Sequence, residues 1–435
     1  MPELIDSHAV ARLAAIAVGP QDKALPASCW GRTPAEVVAL GLRRSDLPTP
    51  LLTLSERALG ANIELLARWA AERGLGLAPH GKTTMAPQLW ARQLAAGARG
   101  ITVANLSQLA VARAFGVRQI MVANLLLSPP GLRWLAGELA ADADLDVSVW
   151  ADSVDAVAAM DAALGDDALA TDDGRPVDVL VELGGPGGRT GARDAASAIE
   201  VARAIARSAH LRLAGVAGYE GALAHDSDAA GLAVVRDYLR ELGDLHRSVA
   251  AEGLYPTGVR PVVTAGGSAY FELVAEVLGS LGSDGVDVVL RSGAYLVHDD
   301  GFYRHISPLG EEPRADGGRL TSAMHGWVRV TSQPEVGTAI FDAGKRDLPF
   351  DEGLPTVQRL AGGAPLDGIE VTALNDQHGF LSFDARRPAP VQVGDVLRLG
   401  LSHPCTAFDK WGLIPVLDDA DADDPMVVDL IRTRF

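Results

Sequence analysis

The sequence predicts an α/β chain, a (β/α)₈ TIM barrel followed by a second, C-terminal β-rich domain. Short apolar runs, each followed by a segment with helical spacing, recur eight times between about residues 75 and 293. Alternation of this kind calls for a parallel sheet wrapped in helices, and eight units over roughly 240 residues match a closed barrel, with an open doubly wound sheet as the alternative. From about residue 313 the texture changes to strand-like pieces such as LTSAMHGWVRVTSQ and VGDVLRLGLSHPC, punctuated by the turns ADGG and VQVGD.

In chain order, residues 1–47 read as a helical N-terminal extension, two Ala-rich amphipathic patterns around the loop GPQDKALPASCWGRTP. The barrel domain is expected over 48–312. It opens with PLLTLSERAL, a short strand leading into a helix, and continues through the eight runs LGLAPHGKT, GITVAN, IMVANLL, LDVSVWAD, VDVLVELGG, LAGVAGYEG, RPVVTAGG and VDVVLRSG. The segments between them, such as SVDAVAAMDAALG, carry apolar residues at helical spacing and often end in glycine. Residues 313–435 form the β-rich domain.

Composition narrows the function. A formal charge of −18 argues against a protein that binds the phosphate backbone of nucleic acids and fits a solvated acidic surface. No apolar run approaches the ~18 residues of a membrane span. The first residues, MPELIDSHAVARLAAIAVGPQD, lack the basic-then-apolar order of a secretory signal, and the two cysteines are far apart, so a cytoplasmic location without disulfides is expected.

Of 38 basic side chains only four are lysine: Lys23, Lys82, Lys345 and Lys410. Lys82, in LAPHGKTTM, stands after the first barrel strand, at the end where barrels keep their chemistry. It offers the primary amine an imine needs, which arginine cannot, or it is a structural lysine. In VVTAGGSAYFELV, Gly266 and Gly267 follow a strand and Ser268 opens a helix, a geometry for phosphate or a plain turn. ELGGPGGRTGARD lacks the dinucleotide fingerprint; its Arg189 faces an acidic ligand or caps a turn. In LSHPCTAFDKW, His403 and Cys405 sit two apart on a strand-like segment and share a side, either half a zinc site or a satisfied histidine beside a buried cysteine. His378, in NDQHGF, is a turn residue or a catalytic one.

Taken jointly, PHGKT, VELGGPGGRTG, GYEG, TAGGS, RSGAYLVHD, FDAGKRDLPFDEG, NDQHG and SHPC, in this order over about residues 48–412, resemble the D-threonine aldolase and D-serine dehydratase family. These are fold-type III enzymes of pyridoxal phosphate, related in architecture to alanine racemase. The resemblance implies that Lys82 bonds the cofactor, that His80 lines the same pocket, and that Arg189 and Tyr219 lie near the ring. It implies phosphate on Gly266, Gly267 and Ser268, and Tyr295 facing the pyridine nitrogen. It also implies a metal on His403 and Cys405, zinc by the softness of the thiolate, with Mn²⁺ or Mg²⁺ as alternatives. Thr84 stands where the family commonly has histidine. A homodimer is expected.

The dehydratase branch is the nearer resemblance. The expected reaction takes a β-hydroxy D-amino acid such as D-serine or D-threonine to a 2-oxo acid and ammonia, with Lys82 moving the α-proton and His378 a catalytic candidate. The alternative is a metal-dependent D-threonine aldolase. A racemase and a non-catalytic pyridoxal-phosphate protein of the barrel type are the remaining readings.

Overall fold

The computed structural model of the chain describes residues 3–165 and 175–435. It divides into two compact units. One comprises residues 1–6, 67–82 and 93–293; the other comprises 7–66, 83–92 and 294–435. The units are therefore not the consecutive segments that sequence texture suggests, since the chain enters the second unit three times.

The first unit holds the barrel. Strands β2 (Gly76–Leu77), β3 (Ile101–Val103), β4 (Gln119–Leu125), β5 (Asp146–Ala151), β6 (Val177–Leu183), β7 (Leu211–Gly218), β8 (Val262–Ala265) and β9 (Asp287–Leu290) form one parallel sheet in the order β2-β9-β8-β7-β6-β5-β4-β3. Its two ends meet: the Arg99 N–H donates to Leu77 O at 2.8 Å, and the Thr102 N–H donates to Pro79 O at 2.8 Å. All eight runs read from the sequence are these strands.

Local chemistry explains the rhythm. Asn105, Ser128, Ser153, Asp194 and Asp228 each precede a helix, and each side chain accepts a hydrogen bond from a backbone N–H three residues on. That satisfies donors a helix start leaves open and contributes about 1 kcal/mol per cap. The strands they follow are apolar because both faces of a parallel sheet are covered.

The second unit is built on a nine-stranded sheet. Its strands are β1 (Leu51–Ser55), β10 (Met324–Glu335), β11 (Thr338–Phe341), β12 (Thr356–Leu360), β13 (Ile369–Leu374), β14 (Gly379–Phe383), β15 (Val396–Gly400), β16 (Leu413–Leu417) and β17 (Val427–Arg432). Strand β1, expected with the barrel, runs antiparallel to β10 and parallel to β16, with all five residues buried. An uninterrupted apolar run fits a barrel strand and a central strand of a mixed sheet equally, so sequence could not separate the two.

The N-terminal extension is helical, but only in single turns such as Ser7–Ala11 and Pro34–Val38. Its Val18, Leu25, Cys29 and Val37 join Leu51, Trp327, Leu413 and Leu430 in one core cluster of the second unit. Among the described residues, no helix is long and apolar enough to cross a membrane.

Candidate active site

In the barrel unit the predicted residues gather where the strands end. Strand β2 runs into Pro79 and His80, and Lys82 sits in the 3₁₀ turn Gly81–Thr83. His80 retains some accessible surface, but its ring lies in a largely desolvated setting. Burial first, then the positive charges of Lys82, Arg291 and Arg189, hold its pKa well below the usual histidine value. His80 is therefore neutral at neutral pH, and its buried Nδ1 has no hydrogen-bond partner.

Arg189 follows β6 in the glycine-rich loop. That loop is held by Arg193, which donates to Gly185 O at 3.1 Å and to Arg189 O at 2.7 Å. The Arg189 guanidinium stands 5.1 Å from the centre of the Tyr219 ring, a cation–π distance. Glu182, Arg189, Thr190 and Tyr219 line one small cavity. Glu182 accepts from Thr190 Oγ1 at 3.0 Å, and burial raises its carboxyl pKa.

The loop after β8 differs from expectation in two respects. Ser268 does not open the helix, which begins at Phe271. The N–H groups of Gly266 and Gly267 are also not open: they donate to Glu220 Oε2 and Oε1 at 3.0 and 2.7 Å. Glu220 is fully buried, and nothing in the spacing of GYEG singled it out. Gly266 has φ +90°, and a Cβ there would come 2.7 Å from Leu290. A Cβ on Gly267 would meet the Tyr219 ring at 3.2 Å. The left-handed φ favours glycine at Gly266, while a Cβ at Gly267 would need the Tyr219 ring to shift slightly.

Two further residues were missed by sequence reasoning. Arg291, at the end of β9, is 3 % exposed. It donates to Thr264 Oγ1 and Gly218 O, both at 2.6 Å, and lies over Trp150 at 4.7 Å. Tyr238 bolts two strand ends together: its hydroxyl donates to Leu183 O at 2.6 Å and accepts from the Tyr219 N–H at 3.0 Å. Only its helical spacing was visible, which marks a core residue and no more.

A phosphorylated pyridine aldehyde requires an amine, a wall for the ring and a turn that accepts oxygens. Lys82 carries an amine that would serve, and Tyr219 with Arg189 would form the wall. The Gly266 and Gly267 amides of the β8 turn face an anion, but that anion is the Glu220 carboxylate, so this pair is not open to the phosphate expected there. With the buried, unpaired Nδ1 of His80 beside Lys82 in sequence, these residues fit the group.

The second unit holds the other predicted residues. His403 and Cys405 do not lie on a strand. His403 has φ +54° and precedes the short helix Pro404–Phe408, in which Cys405 is the second residue. Their side chains converge nonetheless. The neighbouring Cys405 side chain, ahead of Asp351, is the largest cause raising the His403 pKa to about 9. Cys405 Sγ also lies 3.7 Å from the hydroxyl of Thr83, the residue after Lys82 in the chain.

Among the described residues no group of three or more His, Cys, Asp and Glu is arranged to hold a metal, so this is a two-donor set. An imidazole and a thiol fit zinc with coordination positions left for solvent or substrate oxygens. Tyr295 is fully buried in the turn Ala294–Leu296. His378 is exposed in the turn between β13 and β14, where its carbonyl accepts from the Asn375 N–H at 2.8 Å.

Comparison with known proteins agrees with this fold. Residues 54–276 match the family model "Alanine racemase, N-terminal domain", and residues 323–417 match "Putative serine dehydratase domain". The chain is 29 % identical to a D-threonine aldolase of Arthrobacter sp. over 374 residues, 85 % of this chain and 89 % of the relative. It is also 29 % identical to a D-threo-3-hydroxyaspartate dehydratase of Delftia sp., covering 82 % of this chain and 91 % of that one. The crystal structure of D-threonine aldolase from Filomicrobium marinum superposes with a TM-score of 0.73 at 25 % identity, covering 90 % of this chain and 97 % of that one. An amine-bearing turn, a glycine loop and an eight-stranded ring thus stand in a chain that belongs to the alanine-racemase-like, fold-type III family of pyridoxal-phosphate enzymes, together with the D-threonine aldolases and D-serine dehydratases.

Proposed function

We propose that the protein is a pyridoxal-phosphate- and zinc-dependent dehydratase. It would convert a β-hydroxy D-amino acid such as D-serine or D-threonine to a 2-oxo acid and ammonia. The substrate class is supported by the relatives, which are aldolases and dehydratases of β-hydroxy D-amino acids. The observation that carries the choice of dehydratase is the pairing of His403 with a cysteine, because a thiolate favours zinc over the harder ions.

When bound, the cofactor supplies a sink for the electrons of the broken Cα–H bond. Lys82 would hold it, and the Lys82 Nζ would accept the α-proton of the bound amino acid. His80, neutral and partly desolvated, adds no competing charge beside that amine. Arg189 sits over Tyr219 at the edge of the site, where its charge is placed for an anionic oxygen. Glu220 fixes the β8 turn through the Gly266 and Gly267 amides. His403 and Cys405 would hold zinc, whose Lewis acidity would ease departure of the β-hydroxyl.

D-Threonine separates this proposal from the rival one, which the 29 % identity to D-threonine aldolase supports. A dehydratase yields 2-oxobutyrate and ammonia, sensitive to a chelator. Acetaldehyde and glycine in place of these would establish aldol cleavage and overturn the dehydratase assignment. The proposal includes a homodimer, which sedimentation at micromolar concentration would report.

A further inference from the structure

Two carboxylates from distant parts of the chain converge on His403. Its Nδ1 makes a short hydrogen bond with Asp351 Oδ2, across 52 residues of sequence. The other oxygen of Asp351 accepts from Thr406 Oγ1 at 2.7 Å, which fixes the carboxylate's orientation. The backbone N–H of His403 donates to Asp299 Oδ2 at 3.1 Å. Asp299 is 1 % exposed, and its other oxygen accepts from the N–H groups of Gly301 and Tyr303 at 3.0 and 2.8 Å. A left-handed φ of +54° is uncommon for a residue with a side chain, so the backbone contact is part of what holds it.

An ionised carboxylate only accepts, so Nδ1 must carry the hydrogen. Binding a metal requires the ring to give up its other proton, and the lone pair is then on Nε2, the nitrogen turned away from Asp351.

We infer that Asp351 is a positioning residue for metal binding: oriented by Thr406, it fixes the tautomer and direction of His403 so that Nε2 is the donor, while Asp299 fixes the backbone beneath it. The inference rests on the proposal that His403 and Cys405 hold a metal. Asp351 itself makes no bond to the ion. Its place is the outer carboxylate of a carboxylate–histidine–metal triad, an arrangement that typically changes metal affinity by about 10–100-fold.

The test is Zn²⁺ affinity of the metal-stripped full chain, measured by competition with a chromophoric chelator. It is paired with the absorption spectrum of the Co²⁺-loaded protein. D351N is expected to weaken Zn²⁺ by about 10–100-fold, to keep the thiolate-to-cobalt charge-transfer band, and to be partly rescued in D351E. T406V is expected to show a smaller loss in the same direction. H403A is expected to lose binding.

Unchanged affinity in D351N, with binding lost in H403A, would overturn the inference and leave the metal proposal standing. A cobalt spectrum recast in D351N would show Asp351 as a direct ligand, which also overturns it. A wild-type chain that binds no zinc, or binds it equally well as H403A, would remove both proposals. Should circular dichroism show D351N unfolded, T406V decides, and an unchanged affinity there counts against the inference.

Discussion

The two units show their working residues in different ways. In the barrel unit, the residues of the candidate site follow the C-terminal ends of strands: His80 and Lys82 after β2, Arg189 after β6, Tyr219 and Glu220 after β7, and the glycine pair after β8, with Tyr238 reaching in from a helix. Topology does the gathering, and a reader who counts strands can find the site. In the strand-rich unit, His403 meets Asp351 from 52 residues away and Asp299 from 104. No periodicity announces those meetings. Order along a barrel can be read in one dimension; a mixed sheet with loops between distant strands must be seen folded.

That contrast can be broken or sharpened by experiment. The largest effect is expected at Lys82. Lys82→Ala should lower turnover by about 10²–10⁴-fold or more, the contribution of a positioned proton-transferring group, and should remove the visible absorbance of the bound cofactor. Near-normal turnover would show that the barrel's strand-end logic had picked the wrong residue.

In the strand-rich unit, His325 should contribute to acid sensitivity, alongside the equally buried His298. His325 is 5 % exposed, its Nδ1 has no partner, and burial lowers its pKa to about 4 from 6.5. The unfolded chain therefore binds more protons below pH 6.5. Its contribution is fully present above that pH and is lost as pH falls through about 4, a loss on the order of 3 kcal/mol. Urea unfolding between pH 7 and 4 checks the sign, and His325→Gln should flatten the dependence. A profile unchanged by that substitution would assign the acid loss elsewhere.

Gly266→Ala should cost about 1–3 kcal/mol, through a φ of +90° and the approach to Leu290. It should also weaken cofactor binding, read from absorbance titration. Tyr238→Phe leaves Leu183 O and the Tyr219 N–H without their shared hydroxyl, at a cost of about 1–3 kcal/mol. Its effect on turnover should be smaller than on stability, since the hydroxyl holds two strand ends and touches no substrate.

Much of the fold was legible. The eight runs were the eight strands, because covered parallel strands must be apolar and capped helices must follow them. Strand β1 misled because burial on both faces erases the alternation that would have marked a mixed sheet. At the candidate site, Lys82, Arg189 and Tyr219 were singled out by residue type and motif. His403 and Cys405 were found for a reason the structure corrects: a left-handed residue before a helical turn, and not a pleat, brings them together. Glu220, Arg291 and Asp351 were missed because each acts through a partner distant in sequence, and a lone acidic or basic residue carries no signal of its partner.

The central claim is that Lys82 bonds the aldehyde cofactor. Borohydride reduction of the cofactor-loaded protein, followed by peptide mapping, tests it most directly. A reduced pyridoxyl group on the peptide carrying PHGKTTM is the predicted result. The same group on Lys23, Lys345 or Lys410, or on no peptide, would contradict it.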